Sequence, residues 1–243
     1  VTGACAPPSL APMNPELQHA TNSTESTIIS ARRRVTLPIC IVISPTIQIC
    51  IVDVMDTTAP IEWTPRARRI LDTASRLFYD NGITAVGVDR IAAESGVTKR
   101  TLYDRFGSKE RLVVEYLTAR DDAWRESLRQ RLSGLPDDPR TRLRAVFDAS
   151  GEWMRTHSAK GCSMVRAHAD LPPDHPGHAV TVAQKQWMRD LFRSLADQAG
   201  TADPGSVADT VTLLHEGALV CYGMGITPDP IEHARDAALA LFE

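Results

Sequence analysis

From Trp63 onward, apolar residues recur three and four positions apart, the spacing of one helix face, and no stretch after residue 60 reads as a strand. Thr64 and Pro65 form a cap-plus-proline start. Ile70, Ala74, Leu77 and Phe78 then line one face, and Asn81-Gly82 stops that helix. The pattern predicts a two-turn helix from Val88 to Ser95, a glycine turn at Gly96, and a third helix capped by Thr98. Val97 before the cap and Leu102 inside it form a hydrophobic staple, and Phe106 continues the inner face before Gly107-Ser108. Longer helices are predicted over 108–133, 140–157, 161–171, 178–199, 207–224 and 231–242. The expected fold is all-α, with about nine helices. Neither GxGxxG nor GxxxxGK[ST] occurs, which excludes Rossmann and P-loop nucleotide chemistry.

Two short helices joined by a glycine turn have helix-turn-helix geometry. With Val97, Leu102 and Phe106 turned inward, Lys99, Arg100 and Tyr103 project together from the N-terminal half of the third helix. The helix dipole is already positive there, so a cationic face calls for an anion. Duplex DNA in its major groove fits: Lys and Arg reach guanine edges or phosphates, and Tyr or Thr reaches phosphates or a thymine methyl.

The charge distribution agrees. The net charge is −3 over 243 residues, yet residues 61–112 carry +3 while residues 113–243 carry −5. Five scattered cysteines without C-x-x-C spacing read as reduced thiols, consistent with a cytoplasmic protein. Residues 1–30 are rich in Pro, Ser and Thr and lack a helical or strand period, and residues 1–60 are expected to be a disordered or non-native extension, with a stray strand or cap or a membrane contact as alternatives. Within them, Arg32-Arg33-Arg34 precede an apolar run, Val35 to Val52, that is too polar and proline-broken for a membrane span. Met55 offers an alternative start. The domains expected are therefore 1–60, a helix-turn-helix head over 61–112, and a helical remainder over 113–243.

Residues 65–112, PRARRILDTASRLFYDNGITAVGVDRIAAESGVTKRTLYDRFGSKERL, resemble the DNA-binding domain of the tetracycline-repressor (TetR) family of transcriptional regulators. The ordered set Phe78, Gly82, Val88, Ile91-Ala92, Gly96-Val97, Thr101-Leu102-Tyr103, Phe106 and Ser108-Lys109-Glu110 carries the likeness. The resemblance implies a DNA-binding head followed by a divergent helical domain that binds a small effector and forms a homodimer through its last two helices. By position it makes Lys99, Arg100, Thr101, Tyr103 and Arg105 recognition-helix contacts, beside the cap residue Thr98, and makes Lys109 a phosphate contact. The cap of the second helix is usually Ser or Thr in this family; here it is Gly87, with Thr84 as a nearby substitute. Asp104 either pairs with Arg100 or accepts from a cytosine amine. The function expected is a cytoplasmic, dimeric repressor released from a double-stranded operator by a small molecule. Alternatives are an architectural DNA binder and an all-helical enzyme using His157, His168 or His215 as a base.

In the acidic half, aromatic, Met and polar residues suit an apolar cavity with a few fixing groups. The candidates are Trp124, Phe147, Trp153, Met154, His157, Cys162, Met164, Arg166, His168, Trp187, Met188, His215 and Tyr222. Arg166 needs a partner: an internal acid such as Glu216 or Asp148, or an anionic ligand. His157, Cys162, His168, His175 and His178 lack compact zinc spacing, so neither metal nor cofactor is expected. Small residues on the penultimate helix (Val207, Ala208, Val211, Leu214, Gly217, Ala218, Val220, Cys221) suit either a dimer contact or an intrachain core.

Overall fold

The computed structural model describes residues 60–243. The expected extension and the alternative start at Met55 fall on residues 1–59, outside the described residues. Nine helices follow one another among the described residues: α1 (Pro65–Asn81), α2 (Val88–Ser95), α3 (Lys99–Phe106), α4 (Lys109–Leu132), α5 (Pro139–His157), α6 (Ser163–Asp170), α7 (Gly177–Gln198), α8 (Pro204–Met224) and α9 (Pro230–Ala240). None is long and apolar enough to cross a membrane.

Local chemistry sets most of the boundaries. The Thr64, Thr98, Ser108, Asp138 and Asp203 side chains each accept from a backbone N–H in the first turn of the following helix. Proline occupies the first position of α5 and α8, so both begin earlier than the apolar pattern suggests. Conversely, α6 begins at Ser163 and not at Gly161. Gly161 has φ 96° and is pressed against Gly223 of α8, where an added Cβ would lie 2.6 Å from the Gly161 Cα. Only two glycines allow so close an approach.

Two apolar cores share one helix, α4. One gathers Ile70, Leu77, Phe78, Ile91, Leu102 and Phe106 of the head with Leu112, Tyr116 and Leu117 of α4 and Met164, Ala167 and Leu171 around α6. The other packs α5, α7, α8 and α9 around Phe147, Phe192 and Val211, and takes in Trp124 and Leu128 from farther along α4. Helix α4, 24 residues long and so about 36 Å, belongs to both. The head's core therefore continues past residue 112 onto α4 and α6.

Candidate functional site

The turn between α2 and α3 is fixed by Gly96, which takes the left-handed conformation (φ 66°, ψ 34°) and donates its N–H to the end of α2. Thr98 then caps α3, accepting from Thr101 N–H at 3.1 Å. Leu102 and Phe106 are fully buried, worth about 2 kcal/mol each. That burial fixes the rotation of α3 about its axis. On the opposite face stand Lys99, Arg100 (side chain 90% exposed) and Tyr103 (37% exposed). Lys99 lies 3.0 Å from Asp89 of α2 and Arg100 3.8 Å from Asp104, weak exposed pairs that a phosphate could displace. Asp89 beside the Lys99 ammonium raises its pKa, so the residue stays charged.

The remaining DNA-contact candidates are placed differently. Thr101 is half-buried, its hydroxyl 2.9 Å from that of Thr98. Arg105 sits on the flank, paired with Glu62 at 2.9 Å. Gly87 caps α2 without a side chain. Lys109 donates to the Ile83 carbonyl at 2.7 Å and lies 6.0 Å from the Phe78 ring centroid; burial lowers its pKa. Thr84 is not a free hydroxyl in place of the missing cap: it donates both its N–H and its hydroxyl to Asp170.

A cavity of about 50 Å³ opens among α4, α5, α6, α7 and α8. Of the sequence candidates, Trp124, Trp153, Met154, Cys162, Met164 and His215 line it. The others do not. Phe147 lies behind His215 at 5.5 Å between ring centroids, and His157 stacks on Trp153 at 4.2 Å. Trp187 carries the Arg125 guanidinium at 4.2 Å, Tyr222 packs on the rim of the larger core, and Met188 accepts from the Trp124 indole N–H at 3.4 Å. His168 contacts Thr181 and His178 on the surface of α6 and α7.

Arg166 corrects the expectation that Glu216 or Asp148 would be its partner. Its guanidinium donates to the Tyr79 carbonyl at 3.1 Å, at the C-terminal end of α1, and lies 5.1 Å from the Tyr79 ring centroid. Cations are favourable at a helix C-terminus, so no carboxylate is required. Glu216 and Asp148 pair instead with Lys185 (2.8 Å) and Arg235 (2.9 Å).

The polar lining not foreseen from the sequence includes Arg120, Asp121, Gln184 and Lys185, beside Ser150, Ser158 and Ser163. Periodicity could have found Asp121 and Gln184. Asp121 falls between Leu117 and Trp124 on the inner face of α4, and Gln184 between Thr181 and Met188 on that of α7. Lys185 Nζ lies 2.8 Å from the Glu216 carboxylate and 3.3 Å from Cys162 Sγ. Burial opposes ionisation of Glu216. The hydrogen bond from His215 and the Lys185 charge outweigh it, bringing the pKa down to about 2. Burial likewise opposes the Lys185 charge, but Cys162 and Glu216 reverse the balance and its pKa is raised. Asp121 is shifted up by burial, against the pull of Arg125.

Helix α6 joins cavity and head. Its N-terminal end supplies Cys162, Ser163 and Met164 to the cavity. At its C-terminal end the Asp170 carboxylate accepts from Ile83 N–H (2.5 Å), Thr84 N–H (3.0 Å) and the Thr84 hydroxyl. Burial disfavours that charge, yet the Thr84 and Ile83 donors hold the Asp170 pKa below the ordinary carboxylate value.

Residues 70–116 match the family described as bacterial regulatory proteins, tetR family. The chain is 35% identical over 135 residues to the HTH-type transcriptional activator FasR of Mycolicibacterium smegmatis; this covers 56% of the chain and 61% of FasR. It is similar in structure to SCO4454, a TetR-family transcriptional regulator from Streptomyces coelicolor, with a TM-score of 0.64, 32% identity, and coverage of 73% of this chain and 92% of that one. AibR, solved with isovaleryl coenzyme A and operator DNA, aligns with a TM-score of 0.56 at 26% identity over 72% of this chain and 96% of its own. With the head's motif, the all-helical architecture and a 32%-identical relative matched over nearly its whole length, this chain belongs to the TetR family of transcriptional regulators.

Proposed function

We propose that the protein is a homodimeric repressor that leaves its operator when a small molecule enters the cavity. In this reading residues 61–112 read DNA and residues 113–243 sense the effector and dimerise. The observation that carries it is that α4 runs through both cores, while α6, packed in the head's core, also lines the cavity through Ser163 and Met164. Any dilation of the cavity pushes on helices that also hold the head. At about 50 Å³ the cavity is well below the ~300 Å³ usual for ligand sites, so binding must move its walls. A shift in DNA affinity then needs only ~1–3 kcal/mol of differential binding between two head positions. AibR, solved with both isovaleryl coenzyme A and operator DNA, supports the pairing of small-molecule and DNA binding in one protein of this kind.

Dimerisation through α8 and α9 is supported by the outer face of α8. Leu213 (74% exposed), Gly217, Val220 and Met224 (68% exposed) lie on one stripe, and among the described residues nothing beyond α8's own adjacent backbone comes within 4 Å of a Cβ built at Gly217. Ala208, Val211 and Ala218 turn the other way, into the chain's own core. The two roles of this helix thus divide by face.

An enzyme reading finds less support. Ser150, His215 and Glu216 do form a chain, with Ser150 Oγ 2.9 Å from His215 Nε2 and His215 Nδ1 3.2 Å from Glu216. However, the Ser150 hydroxyl also donates to the Val146 carbonyl, and its neighbouring amides belong to the α5 ladder, so the backbone beside it offers no oxyanion donors.

The test is to select bound fragments from random DNA, then measure operator affinity by fluorescence anisotropy. Tyr103→Ala should weaken binding about 5- to 150-fold, equivalent to ~1–3 kcal/mol, without changing the thermal midpoint. Unchanged operator affinity in that variant would remove α3 as the reading helix.

A further inference from the structure

The geometry points to the cavity as a receptor for small aromatic compounds that carry a hydrogen-bond donor, an amine or a phenol, in preference to carboxylates or phosphates. This rests on the effector reading above and narrows it to a chemical class.

The apolar wall is built for a flat body. Trp124 and Trp153 meet edge-to-face at 5.6 Å between centroids, and Met154 and Met164 close the space with side chains that adapt easily. The polar wall supplies the discrimination. Both lining cations are already answered inside the chain. Arg120 donates to Ser163 Oγ (2.9 Å), Ser158 Oγ (2.8 Å) and the His157 carbonyl (3.0 Å). Lys185 is held by Glu216 and Cys162. An anion would have to displace one of these partners.

The groups left over are acceptors. Asp121 Oδ1 and Gln184 Oε1 take no hydrogen bond among the described residues, although Asp121 is only 8% and Gln184 only 6% exposed. The other Asp121 oxygen accepts from Arg125 at 2.9 Å, which holds the carboxylate in place. A third such oxygen, Glu216 Oε2, lies 2.8 Å from the Lys185 ammonium, whose charge answers it. Buried acceptors without donors are costly, so a ligand that donates to them gains more than one that cannot. Turning the Gln184 amide end for end would present a donor there instead; the ionised Asp121 carboxylate only accepts, so the selection rests mainly on it.

The full-length protein can be titrated with four one-ring probes: 4-propylphenol, 3-phenylpropylamine, 4-propylanisole and 3-phenylpropanoate. Binding is read from tryptophan fluorescence and thermal shift in the absence of DNA. The phenol and the amine should bind at least tenfold more tightly than the anisole and the propanoate. Gln184→Leu should raise the melting temperature of the ligand-free protein yet weaken the phenol at least fivefold. Asp121→Asn should weaken the amine more than the phenol. Equal binding of phenol and anisole (the outcome if water alone serves both oxygens), tighter binding of the propanoate, or no binding of any probe at millimolar concentration would each overturn the proposal. The wild-type ranking decides even where a variant fails to fold. Operator release, measured separately, tells the two readings apart. A phenol that binds without releasing DNA sinks effector release alone, whereas a propanoate that binds best and releases DNA sinks only the donor preference.

Discussion

Asp170→Asn isolates the clamp between α6 and the head. The substitution keeps the shape of the side chain while removing its charge, so three charge-assisted hydrogen bonds, from Ile83 N–H, Thr84 N–H and the Thr84 hydroxyl, become ordinary ones or are lost. A hydrogen bond to a charged group is worth about 1.5–3 kcal/mol and a neutral one about 0.5–1.5, a loss of roughly 1 kcal/mol apiece. The clamp is partly open to solvent, so the total is discounted to about 2 kcal/mol. For a protein of this size that is a fall of about 4–8 °C in Tm. The folded-state pKa of Asp170 lies below the ordinary value, so its contribution is complete above the unfolded pKa and is lost as pH falls through the folded one. The assay is urea unfolding of wild type and variant at pH 7 and at pH 3. The difference should be present at pH 7 and should be smaller at pH 3, below the unfolded pKa. A stability gap that is the same at both pH values would show that the carboxylate charge is not what holds the head, and would refute the clamp.

Three further perturbations test separate parts of the argument. Glu216, held at about pKa 2, contributes stability that is fully present above pH ~4.5 and disappears as pH falls towards 2, on the order of 2–3 kcal/mol. Glu216→Gln should flatten wild-type pH dependence over that window in chemical denaturation, and an unaltered slope would argue against the Lys185–Glu216 pair. Leu213→Glu places a charge on the exposed α8 stripe and should shift the protein from dimer to monomer in analytical ultracentrifugation, with an unchanged helical circular dichroism signal. Gly223→Ala forces a methyl to 2.6 Å from the Gly161 backbone; about 1–3 kcal/mol should be lost in urea unfolding, and a neutral result would mean that the 158–162 turn moves aside freely.

Much of the head was legible because its signals are local. Thr64-Pro65, Gly82, Gly96, Thr98 and Gly107-Ser108 each act on backbone within a few residues, so caps and turns could be placed before any tertiary contact was known. The outward face of α3 followed from the same logic: once Leu102 and Phe106 are inward, 3.6 residues per turn fixes where Lys99, Arg100 and Tyr103 point. The relatives and the shared fold then give that face its biological setting.

The sequence alone determined the helices, their order and the cationic surface of the third. The tertiary structure decided which side chains from different helices meet. Six aromatic, Met, Cys and His candidates line the cavity, while Phe147, His157 and Trp187 of the same chemical character face elsewhere. Arg166 found a helix C-terminus 87 positions back in the chain, and Asp170 found the turn after α1. Residue type and periodicity say that a side chain is buried, but not against what. The partner depends on the crossing of helices far apart in sequence, a property of packing that no local pattern encodes.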